Sequence, residues 1–150
     1  IALLTAEASR KLADVLHRHS EISGLANASP QHVINVRGWV NDAAGSGNDA
    51  WVIMRFHAEE LQRRAGEMKR YIDDANFKLE QAQNDSPEVE NVLKQVLELV
   101  ESALDEGHKA GIAHDRMCSE IQNVGKSCHE WRLAQHAKNA RNSAREHPRP

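Results

Sequence analysis

The sequence predicts an all-α fold: an elongated, up-and-down four-helix bundle built on a long antiparallel helical hairpin. Three observations carry that expectation. Two stretches of the 150-residue chain hold apolar residues at alternating three- and four-residue spacing. Aromatic residues make up only 4% of the chain, whereas a broad layered core draws on ring side chains because each buries much apolar surface. Glycine and proline, at 8 and 4, are too few for the many tight turns of a β-sandwich.

The first stretch reads Met54, Ala58, Leu61, Ala65, Met68, Ile72, Ala75, Leu79, Ala82. All nine positions are apolar, where a composition of 40% hydrophobic residues would place about four. The second reads Val89, Leu93, Val96, Val100, Ala103, Gly107, Ala110, His114, Met117, Ile121, Val124, Cys128, Trp131. Charged and amide residues fill most of the positions between, which is the pattern of long helices packed at a shallow angle. The break is Gln83-Asn84-Asp85-Ser86-Pro87. There a serine cap and a proline at the first turn can start the next helix, and so short a connection makes the two helices antiparallel neighbours. The predicted spans are about 49–84, after the Gly45-Ser46-Gly47-Asn48 loop, and about 87–143, or roughly 50 and 85 Å at 1.5 Å per residue. The longer helix outruns its partner, and the first 45 residues must help to cover it.

Residues 5–19 read as a helix with Leu4, Ala8, Leu12, Val15 and Leu16 on one face. Residues 22–29 read as a loop containing Gly24. Ser29-Pro30 repeats the cap-plus-proline signature of Ser86-Pro87, so a further helix is predicted over about 30–43. Ile34, Val36, Gly38 and Val40 also alternate as a strand would, but a lone strand has no partner here. The tail at 144–150 is expected to fray. Three of the six aromatics are tryptophans (Trp39, Trp51, Trp131), gathered toward the end of the bundle opposite the Ser86-Pro87 turn.

Charge and cysteine usage bound the function. A net charge of -3 does not suit a protein that binds polyanions over its whole surface. Residues 85–106 carry seven acids against Lys94, while residues 107–150 carry eight bases, four acids and five of the nine histidines. The helix macrodipole favours that order in one long helix. Cys118 and Cys128 would lie about 15 Å apart on one helix, beyond the roughly 7 Å reach of a disulfide, so a reducing compartment is expected. No run of 18 apolar residues would span a bilayer. The chain is therefore expected to be soluble, with peripheral membrane attachment as a possibility. It starts at Ile1 rather than Met, as a piece of a longer protein would.

Chemical signatures are incomplete. His129-Glu130-Trp131-Arg132-Leu133 has a leucine where a zincin helix needs its second histidine. Gly45-Ser46-Gly47-Asn48-Asp49-Ala50 lacks the preceding strand of a dinucleotide loop, and no Glu-x-x-His occurs for a di-iron bundle. The chain is expected to be non-enzymatic and to need no cofactor. His114 and Cys118, one turn apart, are candidate metal ligands. A structural site needs four ligands, and antiparallel pairing would bring residue 57 opposite about residue 114, making His57 and Glu60 the candidates to complete it. The alternative role for His114 is a polar seam residue that fixes register. Ala103, Gly107 and Gly111 form a small-residue stripe that suits close packing.

The expected function is a non-catalytic α-helical binding, targeting or oligomerisation module of a larger protein, acting on a protein partner or on a second copy. One alternative is a metal-binding bundle. The other is a membrane-localisation bundle in which Ile22 and Leu25, at a loop tip ringed by His17, Arg18, His19, His32 and Arg37, enter an anionic phospholipid surface. The C-terminal cations Lys126, Arg132, Lys138, Arg141 and Arg145 lack interleaved aromatics beyond Trp131, so nucleic-acid binding is not expected.

Overall fold

The computed structural model describes residues 2–42, 48–82 and 87–146. All of these but Pro87 and Glu88 are helical, in α1 (Ala2–Asp42), α2 (Asn48–Ala82) and α3 (Val89–Glu146). The all-α class is as expected, and residues 34–40 are helix rather than strand. The Gly45-Ser46-Gly47 loop, the Gln83–Ser86 turn and residues 147–150 lie outside the described residues, as do the side chains of Trp39, Cys128 and Trp131. The tail expected to fray from 144 is helical to Glu146.

Both predicted seams form the core. Met54, Ala58, Leu61, Ala65, Met68, Ile72 and Ala75 are buried on α2. They face Leu93, Val96, Val100, Ala103, Ala110, Met117 and Val124 of α3. Lys78 bonds Gln95 and Arg64 bonds Glu106, so later residues of α2 meet earlier residues of α3 and the two helices run antiparallel. Trp51 reaches Val33 and Gln62 reaches Ala26, which makes α1 antiparallel to α2 by the same reasoning.

The predicted separation of helices at 5–19 and 30–43 by a loop at 22–29 is corrected: one helix runs through all of it. The reason is a third seam. Ala8, Leu12, Val15, His19, Ile22, Ala26, Ser29, Val33 and Val36 keep the three-four spacing without a break, and all but the half-buried His19 are buried. The burial of that face outweighs the proline inside it. Pro30 has no N–H to give the carbonyl four residues back, which belongs to Ala26. The Ser29 hydroxyl, with no solvent exposure, donates to that carbonyl at 2.8 Å, and the Gln62 amide approaches it from α2 at 3.5 Å. Ser29 therefore serves the helix behind it and does not cap one ahead of it.

The core divides at this level. The larger cluster ends at Ala26, Leu61 and Ala113, and a smaller one contains Val33, Val36, Met54, Ala58, Met117 and Val124. Of the two glycines in the small-residue stripe, Gly107 has the tighter surroundings. A Cβ there would lie 3.1 Å from Met68 Cε and 3.2 Å from its sulfur. The close approach is thus made by a side chain and not by another backbone.

Three substitutions test this packing. Pro30→Ala restores the missing hydrogen bond and should stabilise the fold by about 1–3 kcal/mol in urea unfolding. Gly66→Ala, where nothing lies within 4 Å of the added carbon, should stabilise by up to about 1 kcal/mol. Gly107→Leu, forced against Met68, should instead destabilise by about 1–3 kcal/mol.

Candidate interaction surfaces

The seven residues expected at a lipid-binding tip do not form one. They lie along the middle of α1. Ile22 is in the core at 0% exposure and Leu25 packs half-buried against it, so neither is free to enter a bilayer. His17 and Arg18 both meet the Glu21 carboxylate, at 3.1 and 3.0 Å. Arg18 also lies along α3, its guanidinium 3.4 Å from where a Cβ on Gly111 would be. His19 is half-buried, whereas His32 is exposed. Arg37 alone joins a distinct surface, described below.

The metal expectation is not met among the described residues. His114 and Cys118 do adjoin, Nε2 to Sγ at 3.6 Å. His57 lines a groove with Ile112, Asp115 and Arg116, as the antiparallel register requires. Glu60, however, is held by Arg63 and Arg64, and no group of three or more His, Cys, Asp or Glu converges. Burial, followed by the nearby Asp115 carboxylate, pushes the Cys118 thiol above its ordinary value, which favours the protonated thiol over the metal-binding thiolate.

Two features escaped the sequence reading. One is an ion-pair network between α2 and α3. Arg64 donates to Glu60 at 2.7 Å and to both oxygens of Glu106 at 2.9 and 3.2 Å. The Glu106 side chain is only 12% exposed, so it depends on this arginine. Hydrogen bonds from Arg63 and then Arg64 hold the Glu60 carboxyl below its ordinary value. The hydrogen bonds that Arg64 donates to Glu106 and then Glu60 raise the arginine above its ordinary value. Both positions adjoin seam residues (Ala65 and Gly107), and the expected register placed them together.

The other is a groove between α1 and α2 built around the half-buried Trp51. The indole N–H donates to the Val33 carbonyl at 3.3 Å. The Arg37 and Arg55 guanidiniums lie over the ring at 5.1 and 5.8 Å from its centroid. Pro30, Ile34, Ala58, Glu59 and Gln62 complete the lining. The tryptophan bias toward this end was the signal in the sequence. That bias gives no pairing, because the predicted loop tip claims Arg37.

At the same end α3 outruns both other helices. Lys126, Lys138 and Arg141 are exposed there, as is every described side chain from 126 to 144. Among the described residues no helix is long and apolar enough to cross a membrane. Comparison with protein-family models, curated proteins and solved structures finds no match.

Glu106→Ala should cost about 1–3 kcal/mol, since it strips a partly buried arginine of its inter-helix partner. The Glu60 carboxyl has a depressed folded-state value, so its contribution is present above the ordinary value of 4.5 and is lost as pH falls through the lower folded value. The stability gap between wild type and Glu60→Gln should therefore close on acidification below that range, as read by urea titrations at neutral and acid pH.

Proposed function

We propose that the chain is a non-catalytic α-helical interaction module that presents uncovered helix faces to a protein partner or a second copy of itself. The observation that supports this reading is the free end of α3. Residues 125–146 extend about 33 Å at the helical rise. Leu133, Ala137, Ala140 and Ala144 fall on one stripe at four-three-four spacing, and all are exposed, Leu133 by 55%.

Helices in water draw most of their stability from burying such a stripe and little from propensity. A second helix laid along it would extend the three-four packing already present below Val124. The flanking Lys126, Lys138 and Arg141 set the rim of that contact as cationic.

The test is sedimentation velocity over a wide concentration range, with a parallel pull-down by the wild-type chain. Leu133→Glu combined with Ala137→Glu should abolish association. Both sites are exposed, so unfolding stability should move by no more than about 0.5 kcal/mol each. A strict monomer at every concentration that also captures no partner would sink the reading.

A further inference from the structure

The Trp51 groove is held by specific contacts between α1 and α2. Its floor is recessed, with Val33 and Ala58 only 7% and 5% exposed, while Ile34 stands on the rim at 62%. The indole is fixed to α1 by its hydrogen bond to Val33 and carries two guanidiniums over its ring. Arg55 shares the Glu59 carboxylate at 3.1 Å. Arg37 meets no carboxylate among the described side chains.

We propose that this groove docks an amphipathic helix of a partner protein that carries acidic residues beside its apolar face. The lining residues of α2, from Trp51 to Gln62, span about 17 Å, or roughly three helical turns. A narrow apolar trough between two helices takes apolar anchors at three- and four-residue spacing. The planar guanidinium of Arg37 supplies a forked donor for a carboxylate. Stacking on Trp51 holds that donor in place before the partner arrives, which lowers the ordering cost of binding.

A bilayer is a poorer match, because insertion needs apolar residues that project outward and these are recessed. A nucleic acid needs a longer series of cations than two, one of them already shared with Glu59. The inference rests on the interaction reading only in taking the partner to be protein. It uses a surface in which Leu133 has no part, so the two can fail separately.

The test follows the indole N–H resonances of the full-length ¹⁵N-labelled chain, with that of Trp51 identified by its loss in Trp51→Phe. The probe is a synthetic helical peptide with leucines on one face and glutamates beside them, compared with the same peptide carrying lysine for glutamate. The glutamate peptide should shift the Trp51 resonance and the lysine peptide should not. Arg37→Glu and Ile34→Asp, both at exposed positions, should each weaken binding by about tenfold or more. Leu133→Glu should leave it unchanged. An unmoved Trp51 resonance, an equal response to both peptides, or indifference to Arg37→Glu would overturn the proposal. So would co-sedimentation with anionic phosphatidylserine vesicles that depends on Arg37 while the glutamate peptide fails to bind.

Discussion

A helix offers each neighbour only a narrow stripe, and in this protein the stripe of α3 serves two helices at once. Ala103, Gly107 and Ala110 lie where α1 and α2 both approach, with Met68 reaching over Gly107 from one side and Arg18 from the other. A larger side chain at Gly107 would first have to displace the end of Met68. The small side chains keep the core one seam wide, and that width is why the chain holds few aromatic rings. It also makes register the controlling variable. A slip of one residue on α2 would turn Met68 away from the glycine and separate Arg64 from Glu106. Apolar packing alone tolerates such slips better than a half-buried ion pair does, since the slip would strand a desolvated carboxylate.

The proline in α1 shows how far packing can override local preference. Ser-Pro at 29–30 is, by local chemistry, a helix start. In the fold it sits inside a helix whose buried face continues on both sides of it. What changes its meaning is a carbonyl at Ala26 that finds a donor on Ser29 and a second approach from Gln62. Ser29 is more useful buried than exposed, because its hydroxyl closes the gap the proline leaves. The core thins at the same level, between the cluster ending at Ala26 and the one beginning at Val33.

These two cases account for what could be read from the sequence. The α2 and α3 seams were legible because nothing interrupts their period, and the pairing of residue 57 with the region of 114 followed from it. The α1 seam has the same period but passes through His19, Ser29 and Pro30, and a reading that weighs polar residues and prolines locally stops at each. A loop at 22–29 would make Ile22 and Leu25 a tip and group Arg37 with His17; the continuous helix instead buries Ile22 and sets Arg37 over Trp51. The Trp51 groove needed a contact between residues far apart in sequence on two helices, and no spacing rule carries that information.

Three helices of unequal length also explain where the uncovered surface lies. α1 and α2 end together near the level of Val124, so the free part of α3 and the Trp51 groove fall at the same end of the molecule. Two cores meet there as well, and the smaller one has fewer large side chains to hold its helices together. An added helix at this end would cover apolar surface that the chain's own helices leave open, Ile34 and Leu133 among it. The cations differ in kind between the two surfaces. On α3 they are exposed on a solvated helix, where lysine and arginine are equivalent to a first approximation. At the groove they are arginines stacked on an indole, and lysine could not replace their planar geometry. A chain that needed charge only for solubility would have no reason to anchor it on its one half-buried tryptophan with a described side chain.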